Sequence, residues 1–183
     1  LAYVTVGQQD SVGLTVFNHN TEQRFAARSG SAHLRTLANC LAEHTPAGTG
    51  ELAERIHQLA EGMPRRALVV VVSDLYDDID NLRRALSHLR RRKHDVIVYH
   101  VLDRAELDFP FRDLGKFEDL ETGSLMVTNP LAIRRRYQEV FADFLNQARA
   151  ACKNINVDYQ LVTTDHDLLP LVRQHLQHRA LRR

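Results

Sequence analysis

Oxygen-bearing side chains gather directly after the most apolar stretch of the chain, where Ala67-Leu68-Val69-Val70-Val71-Val72 runs into Ser73-Asp74-Leu75-Tyr76-Asp77-Asp78. A valine-rich run bounded by Arg65-Arg66 and by acids predicts a strand buried on both faces, as in a parallel sheet covered by helices. In open α/β sheets, ligands collect at the carboxyl ends of such strands, which puts Asp74 where a site is expected. Acids in this position also cap helices, and Asp77, Asp78 or Asp80 could start the segment Leu82 to Arg92, with Asp78 or Asp80 the better placed. For Asp74 a functional and a structural role both stay open. Asp165, after Thr164 at the end of the last predicted strand, faces the same edge, either as a site residue or as a cap for the final helix.

Other chemistries lack parts. A phosphatase of the haloacid dehalogenase type also uses an Asp after an apolar strand, but it needs a second Asp two residues on, where this chain has Tyr76. Metal-assisted phosphoryl chemistry through Asp74 and Asp77 is thus the alternative enzyme reading. Neither Gly-x-x-x-x-Gly-Lys nor Gly-x-Ser-x-Gly occurs, so nucleotide hydrolysis and serine esterase chemistry miss their usual motifs. His166, His175 and His178 cluster near the end, without a nearby cysteine or a His-Glu-x-x-His arrangement to make a zinc site. His100, inside a predicted strand, reads as a hydrogen-bonded core residue.

The elements that must position these groups follow from periodicity. Val12 to Asn18 and Thr21 to Ala27 predict an antiparallel hairpin turning at Asn18-His19-Asn20. Ser31 to Glu43 carries Leu34, Leu37 and Leu41 at helical spacing, and Glu51 to Glu61 forms a second helix that Thr49 could cap. The valine strand, a helix from Asp80 to Arg92 and a second buried strand from Asp95 to Leu102 make a crossover unit. Pro110 excludes Leu107 to Phe111 from a central strand, and Lys116 to Val127 predicts a hairpin turning at Glu121-Thr122-Gly123. A long helix from Pro130 to Lys153 has an apolar face of Ile133, Tyr137, Val140, Phe141, Phe144, Leu145 and Ala148. A last strand, Val157 to Val162, and a last helix, Leu168 to Leu176, close the chain. No linker divides it, so residues 1–183 are expected to form one α/β domain with a small hairpin insertion at 103–129.

With 183 residues, such a domain can bury a sizeable core. Lysine plus arginine number 24 against 23 acids, which excludes an overall electrostatic drive toward nucleic acid or an anionic membrane. The basic clusters at 83–84, 90–93, 134–136 and Arg179 to Arg183 have acids nearby and read as solvated faces. Cys40 and Cys152 lie among helical apolar residues, as buried reduced thiols of a cytoplasmic protein would. No apolar run reaches the ~20 residues needed to span a bilayer. The opening Leu1-Ala2-Tyr3-Val4, without an initiator Met, suggests a fragment of a longer protein.

Several stretches together resemble a bacterial family of domains of unknown function, number fifty-eight, whose fold is similar to the von Willebrand factor A domain. They are Ser73-Asp74-Leu75, His94 to Val98 running to Leu102-Asp103, Ala105-Glu106-Leu107-Asp108-Phe109-Pro110-Phe111, Phe117 to Gly123, Val157-Asp158-Tyr159 and Thr164-Asp165. Asp10-Ser11-Val12-Gly13-Leu14 also fits a family segment, with Gln9 in place of its usual glycine. The resemblance implies a Rossmann-like, mostly parallel sheet with helices on both faces, an antiparallel edge hairpin and strand order 3-2-1-4-5-6. It further implies a divalent cation, Mg²⁺, at the carboxyl edge, with Asp74 and Thr49 as ligands, a partner's carboxylate completing the shell, and Ser73, Asp77 and Asp165 around the contact. The usual Asp-x-Ser-x-Ser is not in these residues; the family places it upstream, on the first, central strand. Leu1 to Gln8 would then be the tail of the helix after that strand, although Ala2 to Val6 alone could pass for a strand. The resemblance implies a protein-interaction module, a partner among MoxR-type AAA+ ATPases, and a chain whose open sheet edges could pair as a homo-oligomer.

Overall fold

Helical and extended segments alternate along the computed structural model, which describes residues 1–17, 22–44, 52–63, 66–113, 115–118, 123–165, 167, 169–170 and 172–173. The chain divides into two compact units, residues 1–50 with 118–125, and residues 51–117 with 126–183.

In the first unit, Ala2–Gly7 forms helix α1 rather than a strand. Strands β1 (Val12–Phe17) and β2 (Glu22–Arg28) pair antiparallel as expected, with Asn18-His19-Asn20 outside the described residues. The register shifts between Val12, opposite Arg28, and Leu14, opposite Phe25, so β2 carries one extra residue there. Gly13 sits at the irregularity, where a Cβ would come within 2.9 Å of the Phe25 carbonyl oxygen. Helix α2 (Ser31–Glu43) buries Leu37 and directs the His33 Nε2 to the Val12 carbonyl at 2.8 Å. Cys40 is half-buried rather than buried, because its thiol reaches out to donate to Gln23 Oε1 at 3.0 Å.

The second unit contains the predicted crossover. Helix α3 (Leu52–Gly62) precedes β3 (Leu68–Ser73), and α4 (Ile79–Arg91) leads to β4 (Asp95–Leu102). A one-turn helix, α5 (Arg104–Asp108), opens the insertion and is fixed by a capping box between Asp103 and Glu106. Strands β5 (Gly115–Glu118) and β6 (Leu125–Thr128) pair as a two-stranded sheet where the hairpin is expected, with Glu121 and Thr122 of its predicted turn outside the described residues. Helix α6 (Pro130–Asn154) starts at an Asn129 cap with Pro130 in its first turn, and β7 (Asp158–Thr163) completes the sheet. Of the last predicted helix, residues 169–170 and 172–173 are described, and they are helical.

Strands β3, β4 and β7 run parallel in that spatial order. The order agrees with the last three places of the expected six-stranded sheet. Among the described residues β1 pairs with β2 and not with β3; the first strand of the resembled fold, expected to be missing from this chain, would lie between them.

Val69, Val71, Val96, Val98 and His100 share one face of the sheet by register, and α4 and α6 pack there. On the opposite face Ile97, Tyr99 and Val162 form a core cluster with Val70, Val101 and Val172. That cover ends at β3, where Leu68 is 48% and Val72 66% exposed. Among the described residues the valine strand is therefore buried on one face, not two, and β3 is the edge of the three-stranded sheet, where only a centrally placed strand has cover on both sides. On α6 the predicted apolar face is buried or half-buried except at Val140, which is exposed.

Replacing Gly13 by Ala should strain the β1–β2 pairing by about 1–3 kcal/mol, since the backbone oxygen of Phe25 has no flexible end to move aside. Hydrogen exchange of the β1 and β2 amides would show it as faster exchange. Gly7→Ala, with nothing within 4 Å of the added carbon, should leave those amides as they were.

Candidate functional site

The carboxyl ends of β3, β4 and β7 bring Asp74, Asp103 and Thr164 to one edge. Register requires it, since Ser73 lies opposite His100 and Leu102 opposite Thr163. The chain must turn sharply after β3. It does so through Leu75, whose φ of 57° is left-handed while its side chain is fully buried. The turn is held by its own polar groups. Leu75 N–H donates to Ser73 Oγ at 3.1 Å, Tyr76 N–H to Asp74 Oδ1 at 3.2 Å, and Asp77 N–H to the Leu75 carbonyl at 2.7 Å. Ser73 Oγ in turn donates to Asp74 Oδ1 at 3.3 Å. Asp74 is exposed, and its Oδ2 receives no hydrogen bond from the described residues.

Asp77 and Asp78 have structural partners. Asp78 Oδ1 accepts from Asn81 N–H at 2.8 Å and caps α4, as its position suggested. Asp77 reaches across to the first turn of α3, where its Oδ2 accepts from Ala53 N–H at 2.9 Å, while its Oδ1 accepts from Asp78 N–H. One carboxylate thus fastens the start of one helix to the approach of another.

Beside this turn, the Tyr76 hydroxyl donates to Glu106 Oε1 at 2.9 Å, and its ring stacks on Phe144 at 5.5 Å. Tyr76 stands where a haloacid dehalogenase-type enzyme needs its second acid. Burial, and then the Glu106 carboxylate, push the Tyr76 phenol pKa well above its ordinary value. Glu106 Oε2 accepts from Asp103 N–H at 2.6 Å, and Thr164 Oγ1 donates to Asp103 Oδ2 at 3.0 Å, so the ends of β4 and β7 are tied directly. Asp165 is exposed in the turn after β7. The N–H of Leu169, at the start of the final helix, is accepted by Asp167 Oδ1 at 3.0 Å rather than by Asp165.

His100 is fully buried beneath this edge, with Nδ1 2.7 Å from the Tyr159 hydroxyl, so it is the bonded core residue its strand position implied. Burial holds its pKa below the ordinary imidazole value, against a smaller opposing pull from Asp74. Cys152 is equally enclosed, and burial pushes its thiol up to about 12, which leaves it unreactive at neutral pH.

For a divalent cation, the described residues supply a carboxylate at Asp74 and a hydroxyl at Ser73, both hard oxygens of the right kind. Thr49 lies outside the described residues, as do His166, His175 and His178. Among the described residues no group of three His, Cys, Asp or Glu side chains could hold a metal ion. The edge therefore offers part of a donor set. Sequence reasoning did not find the Tyr76–Glu106 and Asp103–Thr164 bonds; the acids closing each strand were the available signal.

Among the described residues no helix is long and apolar enough to cross a membrane. The family model described as "Protein of unknown function DUF58" matches residues 1–148, and the chain belongs to that family. No curated protein matches it. Among solved structures it is similar to the crystal structure of an aerotolerance-related membrane protein from Bacteroides fragilis NCTC 9343 with multiple mutations to serines. The two share 15% identity and a TM-score of 0.55 over 92% of this chain and 79% of the other, a likeness of fold.

The two edge acids should separate in a stability measurement. Asp77→Ala leaves the Ala53 and Asp78 N–H groups without their acceptor and should cost about 1–2 kcal/mol, whereas Asp74→Ala, at an exposed position, should cost less than about 1 kcal/mol. Urea unfolding of both variants would check this. Equal losses would remove the distinction.

Proposed function

We propose that this member of the family is a protein-interaction module working through the carboxyl edge of its parallel sheet. The observation that carries the reading is Asp74, an exposed carboxylate with Oδ1 fixed by Tyr76 N–H and the Ser73 hydroxyl and with Oδ2 accepting no hydrogen bond from the described residues. A carboxylate already held by its own turn loses little freedom when it binds.

In the finer form of the proposal, drawn from the family resemblance, Asp74 and Thr49 contribute ligands to a Mg²⁺ ion, and Ser73, Asp77 and Asp165 border the contact. A partner's acidic side chain completes the shell, and a MoxR-type AAA+ ATPase is the partner proposed. Hard oxygens at the sheet edge support the cation. The shortage of described donors argues that this chain alone holds it weakly. Within the proposal Asp77 serves by position, since both of its oxygens already hold backbone N–H groups.

The open edge of β3 supports a second contact. Its outward backbone groups have no strand partner among the described residues, and Leu68 and Val72 are exposed beside it. Such an edge invites another strand, so self-association of this chain through β3 belongs to the proposal.

Calorimetry on the purified chain should find Mg²⁺ binding no tighter than about millimolar, because the ion keeps its waters unless several oxygens are preplaced. In a pull-down of the ATPase by this protein, Asp74→Ala and a chelator should each weaken capture. Capture insensitive to both would remove the proposed mechanism. For self-association, sedimentation at micromolar concentration should show a dimer or larger species that Val72→Lys returns to monomer; a monomeric parent chain would sink that part.

A further inference from the structure

Two imidazoles face each other where α3 packs on α4. Nδ1 of His57 lies 3.1 Å from Nδ1 of His88, with ring centroids 5.3 Å apart and planes tilted by 43°. Both side chains are half-buried. Their separation is set by the helices that carry them: α3 is fastened at its first turn by Asp77, and α4 by its Asp78 cap. Other described histidines have different partners, His33 the Val12 carbonyl and His100 the Tyr159 hydroxyl.

In the hydrogen bond between two neutral rings, one Nδ1 carries the proton and the other offers a lone pair. Moving the donor's proton from Nδ1 to Nε2 turns two lone pairs into the gap and releases no net proton. With Zn–N bonds of about 2.0–2.1 Å, two neighbouring ligands at angles of roughly 90–110° lie about 2.8–3.4 Å apart. The observed 3.1 Å falls inside that interval.

We propose that His57 and His88 form a two-histidine site for Zn²⁺ or a similar borderline divalent cation, joining α3 to α4, with water in the remaining positions. Among the described residues no third His, Cys, Asp or Glu completes the set, so the ion would be open on its outer side and exchangeable. Glu54 and Glu61 lie about one helical turn on either side of His57. Arg84, Arg91 and Arg92 are spaced likewise from His88; of these, Arg84 is bonded to the Asp80 carbonyl and Asn81 Oδ1, and Arg92 to the Met63 carbonyl. Paired imidazoles select Zn²⁺ or Cu²⁺ over Mg²⁺, which makes this site chemically distinct from the oxygen-lined edge at Asp74.

Calorimetric titration of the purified chain with Zn²⁺ at neutral pH tests the assignment. One binding event should weaken by at least about tenfold in both His57→Ala and His88→Ala. It should persist in His33→Ala and in excess Mg²⁺. His88→Phe keeps a ring against α3 without its nitrogens, so loss of zinc in a variant whose circular dichroism matches the parent separates ligation from packing. Absence of Zn²⁺ binding by the parent would overturn the proposal. Isotherms for His57→Ala and His88→Ala that superimpose on the parent's would do so too, by assigning the zinc to other histidines.

Discussion

The second unit is organised by the requirement to enclose β4. This strand is paired on both edges, and six of its eight residues are buried, so every backbone N–H and C=O must be met by a neighbouring strand and both faces need apolar cover. Strands β3 and β7 meet the first demand; α4 and α6 on one face, with Val172 among the cover on the other, meet the second. Its entry is fixed just as firmly. Buried His94 accepts from Ala67 N–H at 3.2 Å, and Arg90 donates to both the His94 carbonyl and the Asp95 carboxylate. With both ends constrained, the three strands finish in register and their polar termini arrive together.

At that edge the polar groups are occupied by structure before any ligand is considered. The left-handed turn at Leu75 costs roughly 1–2 kcal/mol for a residue with a Cβ, which full burial of a leucine side chain, worth about 1.5–3 kcal/mol, is large enough to offset. Ser73, Asp74 and Asp77 absorb the backbone donors that the turn exposes. The carboxylates thus divide by geometry. Asp77 and Asp103 have both oxygens engaged, whereas Asp74 and Asp78 each keep one that accepts no hydrogen bond from the described residues.

Much of this was legible because periodicity reports burial. The long α6, the crossover from β3 through α4 to β4 and the pairing of β5 with β6 all follow from spacing and turn residues. What escaped was set by distance along the chain. Four consecutive valines look the same whether or not a strand has neighbours on both sides, so the exposure of Val72 could not be seen in them. Tyr76 counted only as an acid that was lacking, because its partner Glu106 lies 30 residues on. His57 and His88 are 31 residues apart on different helices and carry no local signal of their meeting. Cys40 is more open than its helical apolar neighbours predict, because α2 turns that residue toward Gln23.

A row of aromatic rings runs through the second unit. Phe109 lies 4.4 Å from Tyr137, which stacks on Phe141; Phe141 leads to Phe144, and Phe144 touches both Tyr76 and His100. The chain has no tryptophan, and four of its five tyrosines, at 76, 99, 137 and 159, fall in this unit, leaving Tyr3 in the first. Ultraviolet absorbance, tyrosine emission and near-ultraviolet dichroism therefore watch the second unit closely and the first hardly at all. A melting curve recorded by those signals describes the surroundings of Asp74, and the hairpin of β1 and β2 could come apart almost unseen.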